Sequence, residues 1–208
     1  MPRERSTPRM GLLGNAMKTF WKFGFHVVSM GDLVRETGVS RGGIYSDYSS
    51  KRALFHACID HYEDVVIKPV FAPVEEAAAG VEGIRTYLEA LLTRFDTNQN
   101  FGRGCLVGNT FTQLAEGDDE TRQKILRFYA RRTCSYSNAL SYENSSNNRL
   151  TEADVEGLAS YVTISVQGLW SYSRLVQDSS VLRQYCDMLL AYLESHLRGT
   201  PRSNYRTV

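Results

Sequence analysis

Arg41, Tyr45 and Lys51, with Ser29 and Ser40 upstream, gather a guanidinium, a phenol, an ammonium and two hydroxyls into one short stretch of the chain. Hydrogen-bond donors and positive charge of this kind suit an anionic partner, and the pattern that places Arg41 makes DNA the first one to consider. A second reactive group is the thiol of Cys105, which follows Gly104 and precedes Leu106. Other chemistry finds no support. No glycine-rich phosphate loop or nucleophile elbow is present, and Ser40 with His61 does not make a triad. Cys58, Cys105, Cys134 and Cys186 are scattered, with no CxxC or Cys/His ligand spacing. His56 and His61 are five residues apart, where a shared helical metal face needs four. The sequence therefore implies no enzyme, no metal and no cofactor, and both histidines read as structural.

Two short helical patterns position the first group. Ser29 is placed to cap a helix from Met30 to about Thr37, with Leu33 and Val34 inward and Gly38 able to end it in the left-handed conformation. Val39 is then the buried pivot of a turn, and Ser40 caps a second helix from Arg41 to about Asp47. This is a helix-turn-helix pattern. Arg41, Gly42 and Gly43 fall at the start of the second helix, the end that enters a major groove. Two glycines there cost about 1 kcal/mol each against alanine, and close approach to a DNA strand is one reason to keep them. A plain tight turn is the other.

From about Gly11 to Leu54 the chain resembles the DNA-binding domain of the TetR family of transcriptional repressors. The likeness rests on Phe20, Gly24-Phe25, Gly38-Val39-Ser40, Tyr45, Tyr48 and Ser50-Lys51. By position, it implies that Ser29, Tyr45 and Lys51 hold phosphates and that Arg41, Gly42 and Gly43 face bases. Asp47 departs from the polar or histidine residue usual there, and is expected to turn away from DNA or pair with a basic neighbour such as Arg52. The implied fold is all-α: an N-terminal three-helix helix-turn-helix domain followed by a helical ligand-binding and dimerisation domain. The expected divisions are 1–52 for arm and headpiece, 53–198 for the regulatory body and 199–208 for a polar tail.

Charge agrees with this division. Residues 1–52 carry nine Lys and Arg against four acids, while the remainder carries fifteen against nineteen. A basic first quarter on an acidic body suits a DNA reader joined to a domain with another task. Arg3, Arg5 and Arg9, in a segment broken by Pro2 and Pro8, suit a flexible arm. No apolar run approaches the ~18 residues of a membrane span, and no signal region follows the charged start. A cytoplasmic protein with reduced thiols and no membrane partner is expected.

Beyond Leu54 the periodicity is helical. A fourth helix runs from Ser50-Lys51 to about Val70, ended by Pro69 and Pro73; further helices are expected over Val81 to Phe95, Cys105 to about Ala115, Asp119 to about Tyr142, from Thr151 and from Ser180 to Leu197. Between Thr151 and Trp170, and again after Ser180, apolar residues exceed what one inner face requires, which suits either a larger core or a homodimer of four interface helices, two from each subunit. The family resemblance favours the homodimer. Two related recognition helices then meet grooves about 34 Å apart on a double-stranded, roughly palindromic operator.

Two modes of effector response stay open. The run from Phe101 to Thr110 resembles the Gly-Cys-Leu start of the sixth helix in a subgroup that includes electrophile- and oxidant-responsive repressors. Cys105 at a helix start, near Arg103, suits a thiol poised for modification. The alternative is a small-molecule inducer in an apolar cavity, with Asn109, Phe128, Gln167 and Trp170 as candidate contacts. A transcriptional activator or an architectural DNA-binding protein would carry the same headpiece.

Overall fold

The structure, a computed structural model, describes residues 8–97, 103–146 and 148–198. Among them lie ten α-helices: α1 (Pro8–Phe23), α2 (Met30–Thr37), α3 (Arg41–Asp47), α4 (Lys51–Tyr62), α5 (Lys68–Glu75), α6 (Gly80–Thr97), α7 (Leu106–Phe111), α8 (Asp119–Ser145), α9 (Glu152–Tyr172) and α10 (Ser180–Arg198). Arg3 and Arg5 of the expected arm, Phe101 and Gly102, and the tail from residue 199 lie outside the described residues. Pro8 opens α1 rather than breaking the chain, as suits a residue with a fixed φ and no N–H to leave unpaired.

Packing groups the chain into two compact units, residues 1–69 with 103–127, and residues 70–102 with 128–208. The first holds the headpiece together with α7 and the start of α8. Its core is built from one side of α1, Leu12, Ala16 and Phe20, against Leu33 of α2, Ile44 of α3, and Leu54, Phe55 and Ile59 of α4, all buried. The one-turn spacing of the α1 set is what places them on a single stripe. Phe20, Phe25 and Phe55 close the centre, with Phe20 edge-on to Phe55 at 5.0 Å and Phe25 4.9 Å from Phe55.

Pro69 and Pro73 do not end the fourth helical segment as expected. A π-helical turn, Glu63–Ile67, follows α4, and α5 then runs through both prolines to Glu75. The wider turn resets the hydrogen-bond register just before Pro69, which has no N–H to give, so the usual penalty of an interior proline is partly avoided.

In the second unit, α10 packs on α6 and α9. Arg85 of α6 reaches Glu194 of α10 at 2.8 Å, and Thr151 with Asp154 forms a capping box at the start of α9. Phe71 stands edge-on to Tyr87 at 5.0 Å and to Tyr136 at 5.4 Å. The buried Arg132 lays its guanidinium 4.2 Å from the Phe71 centroid and 4.9 Å from that of Phe128. Helix α8 outlasts its expected end at Tyr142, reaching Ser145; Asn144 then holds the turn, its Oδ1 accepting from the backbone N–H of Arg149 at 3.1 Å and Leu150 at 3.0 Å. No described helix is long and apolar enough to cross a membrane.

Candidate nucleic-acid interface

Local bonding builds the helix-turn-helix as its sequence requires. Ser29 Oγ accepts from the Asp32 backbone N–H at 3.1 Å, while the Asp32 carboxylate accepts from the Ser29 backbone N–H at 2.9 Å and from its hydroxyl at 2.6 Å. This reciprocal box satisfies donors that the first turn of α2 would otherwise leave open. Those bonds, with Arg35 beside it, hold the Asp32 carboxyl down at about 2. Gly38 ends α2 at φ 70°, its N–H bonded to the Val34 carbonyl; a side chain there would be strained. Val39 is buried, and Ser40 Oγ caps α3 by accepting from Gly43 N–H at 3.1 Å.

Ile44 of α3 is buried and Gly43 partly covered, while Arg41, Gly42, Tyr45, Ser46 and Asp47 are exposed. Arg41 is exposed, with its guanidinium 5.8 Å from the ring centroid of Tyr45, one turn on. The two glycines have different surroundings. A Cβ on Gly42 would meet nothing within 4 Å, whereas one on Gly43 would lie 2.9 Å from Val39 Cγ1 and 3.3 Å from Ser40 Oγ. Gly42 thus leaves the outer surface bare, and Gly43 lets α3 pack onto the turn.

The expected phosphate contacts also have internal work. The Ser29 hydroxyl sits in its capping box. Lys51 is half-buried, its ammonium 4.6 Å from the Phe25 centroid, and burial pushes its pKa down while the Asp32 charge opposes the shift. Asp47 is exposed at the end of α3, and Arg52 Nε approaches Asp118 Oδ1 at 3.8 Å.

Several fastenings between the headpiece and residues 103–127 have no signal in the sequence reading. The Trp21 indole N–H donates to the carbonyls of Arg103 at 3.2 Å and Gly104 at 3.1 Å. His26 Nε2 lies 3.0 Å from the Gln113 carbonyl. From α4, His56 Nε2 meets Thr121 Oγ1 at 2.9 Å and its Nδ1 lies 3.3 Å from Glu120, while Lys124 reaches Asp60 at 2.5 Å. Burial is the main cause that pushes the His56 pKa down. The partners are far apart in sequence, and neither spacing nor periodicity marks them.

The candidate effector residues fall in both units. In the first, Cys105 is the N-cap of α7 and is 4% exposed, without a side-chain cap bond. Helix α7 is shorter than expected, ending at Phe111. Asn109 Nδ2 donates to the Arg103 carbonyl at 2.7 Å, so this amide braces the same segment that Trp21 holds. In the second, Gln167 Oε1 accepts from the Tyr129 hydroxyl at 2.5 Å, and Phe128 is covered by Arg132. Trp170 lines a shallow, solvent-open cleft with Leu91, Leu92, Phe95, Leu169, Ser173 and Leu182, with little enclosed space. Of the other thiols, Cys58 and Cys186 are buried and Cys134 is exposed; burial raises the Cys58 pKa far up and Cys186 to about 11. No group of three His, Cys, Asp or Glu side chains among the described residues is placed to hold a metal.

Exposure separates core from surface on the last two helices. Val155, Leu158, Val162 and Leu169 of α9 and Leu182, Leu189 and Leu193 of α10 are buried, while Ile164 is 72% and Met188 67% exposed. Tyr161 and Tyr192, half-exposed, bring their rings within 5.0 Å across the two helices.

Residues 12–58 match the family described as bacterial regulatory proteins, tetR family. The HTH-type transcriptional repressor ComR of Escherichia coli (strain K12) is 26% identical over 173 residues, 80% of this chain and 80% of that protein. The HTH-type transcriptional repressor DhaR of Mycobacterium sp. (strain GP1) is 20% identical over 190 residues, 91% and 93% of the two chains. Among solved structures, a cysteine mutant of the TetR-family regulator CifR bound to a 26bp double-strand operator DNA superposes with a TM-score of 0.75 at 22% identity, covering 96% of this chain and 100% of that one. A TetR regulatory protein from Rhodobacter sphaeroides gives 0.76 at 16% identity, over 90% and 99%. These likenesses establish the fold.

Proposed function

We propose that this chain is a TetR-family DNA-binding transcriptional regulator rather than an enzyme, and that it acts as a homodimeric repressor released from a palindromic operator by an effector; the match of residues 12–58 to that family and the similar repressors support the reading. The observation that carries the DNA half of this reading is the capped α2–turn–α3 unit with Arg41 and the bare Gly42 surface facing outward. The operator complex of the similar CifR fold supports it. For the homodimer, the support is the apolar surface left on α9 and α10 after their inner faces are buried, with Tyr161, Ile164, Met188 and Tyr192 on it. A second copy of the same surface is its natural cover, since closed two-fold pairs are the commonest assembly.

Release follows if an effector favours an arrangement in which the two headpieces no longer match adjacent grooves. Cys105 is the covalent candidate. Its thiol is covered, so adding a group there requires α7 to open, and the neighbouring carbonyls of Arg103 and Gly104 are the ones Trp21 holds. A second reading places a small apolar ligand in the other unit beside Trp170, where the shallow cleft would have to widen to take it.

Selection of DNA from a random pool by the full chain tests the whole proposal, followed by operator binding before and after a thiol-reactive electrophile, in wild type, Cys105→Ser and Cys134→Ser. One enriched palindrome, released from wild type and Cys134→Ser but retained by Cys105→Ser, is the expected result. Equal release from all three moves sensing away from Cys105. A pool with no enriched sequence ends the specific-repressor reading.

A further inference from the structure

We propose that His56 makes the headpiece's hold on the start of α8 proton-sensitive, so that mild acid weakens operator binding; the operator half of this rests on the DNA reading above. The hold is a ladder of side chains. Arg52, His56 and Asp60 stand four residues apart on one face of α4, and opposite them come Asp118, then Glu120 and Thr121, then Lys124. The outer rungs are ion pairs of opposite polarity, Arg52 with Asp118 at 3.8 Å and Lys124 with Asp60 at 2.5 Å. Of these side-chain types only the imidazole of the middle rung ordinarily titrates near neutrality.

The surroundings favour the neutral ring. The His56 side chain is 13% exposed, with Nε2 2.9 Å from Thr121 Oγ1 and Nδ1 3.3 Å from Glu120 Oε1. One neutral tautomer serves both contacts, Nδ1–H donating to the carboxylate and Nε2 accepting from the hydroxyl. A second proton, on Nε2, forces the Thr121 hydroxyl to turn its own proton away, and Thr121 is buried. The charges acting on the ring are balanced in number: Glu120 and Asp118 draw a proton, Lys124 and Arg52 repel it. Glu120 is 68% exposed and screened by water, so it offsets little of the cost of a buried imidazolium. Burial therefore dominates, and the pKa of His56 falls below its usual 6.5. The hold is complete above about pH 6.5 and weakens as pH falls from there through the lower value of the packed ring. His26 also lines the crevice beside Asp118 and Thr121, but it meets the Gln113 carbonyl, which needs Nε2–H in either charge state, so protonating it breaks nothing.

The test uses the full-length protein at about pH 7.5 and 5.5, on either side of the ordinary imidazole range. Protection of the amides of residues 118–124 against hydrogen exchange and affinity for the selected operator are measured in wild type and His56→Gln, whose amide keeps hydrogen bonds and does not titrate. Wild-type protection should fall severalfold in acid, by at most about tenfold for each unit that separates the packed and free pKa values, and operator affinity should fall with it. His56→Gln should lose neither. Glu120→Gln, which lacks the carboxylate beside Nδ1, should respond to acid more than wild type. Titration of the His56 ring by NMR in the wild type decides the matter even where His56→Gln does not fold, since a value at or above the ordinary one overturns the proposal. Equal losses of protection in wild type and His56→Gln, or none in either, overturn it too. Lost protection with unchanged operator affinity overturns the gating and leaves the DNA reading standing. Failure to enrich any operator overturns the DNA reading and the operator half together, with the protection measurements deciding the hold on their own.

Discussion

Substituting the two adjacent glycines of α3 by alanine, one at a time, should separate DNA approach from folding. Neither has a left-handed φ, so alanine recovers up to ~1 kcal/mol of helix propensity at either place. At Gly42 nothing opposes that gain, since the new methyl meets no atom within 4 Å. Gly42→Ala should therefore melt higher, by about 2 to 4 °C for a chain of this size. Its operator binding should nonetheless weaken on the order of tenfold, the ~1.4 kcal/mol that one or two net hydrogen bonds to the DNA would account for. At Gly43 the methyl would fall 2.9 Å from Val39 Cγ1. Val39 is buried and β-branched, so it has little room or rotamer freedom to move away. An overpacking cost of about 1 to 3 kcal/mol outweighs the propensity gain, and Gly43→Ala should melt at or below wild type. Thermal unfolding and titration of the selected operator, run on both variants, give the comparison. If the two variants gain stability equally, Val39 does not constrain Gly43; if Gly42→Ala binds the operator as wild type does, the bare surface is not where the backbone meets DNA.

Three further perturbations address other parts of the molecule. Gly83→Ala would drive a Cβ into the Pro73 carbonyl oxygen and the Ala79 side chain; because the first is backbone, the net loss should be about 1 to 3 kcal/mol, and a raised melting temperature would mean α5 and α6 are not that close. Trp21→Phe keeps a ring against Tyr62 but removes the donor to Arg103 and Gly104, a loss of ~1 kcal/mol that should appear as faster hydrogen exchange at residues 103–111, with unchanged exchange counting against the fastening. Asp32 titrates lower in the fold, at about 2 against a usual 3.8, so its ionised form contributes stability above about pH 4 that is lost as pH falls towards 2. The melting-temperature gap between wild type and Asp32→Asn should narrow across that window, and a constant gap would show that the capping charge is not its source.

What was legible in the sequence was local. Ser29 with Asp32, Ser40 and Gly38 announce α2 and α3 because a cap is a bond between residues three apart, and the structure places those helix ends as read. Thr151 with Asp154 marks α9 for the same reason. The prolines misled because their local preference was judged without the π-helical turn that accommodates them. Periodicity found α9 and α10 but could not divide their apolar residues, since Val162 and Ile164 are equally apolar and only packing leaves the second exposed. The grouping of residues 103–127 with the headpiece left no trace, because Trp21 with Arg103 and His26 with Gln113 are single polar pairings across long separations.

Those pairings bear on how release would work. Three headpiece elements hold the same stretch: α1 through Trp21, the loop after it through His26, and α4 through His56 and Asp60. A ligand shifts an equilibrium only by its difference in affinity for two states, so the useful event is one that these bonds cannot accommodate. Under the proposed function, opening α7 to uncover Cys105 is such an event, because the carbonyls of residues 103 and 104 are both the start of that helix and the acceptors for Trp21. Breaking one fastening leaves the other two in place. On that proposal, release would require displacement of residues 103–127 as a body, and the cost of breaking several bonds together would set a threshold that weak or unrelated ligands do not reach.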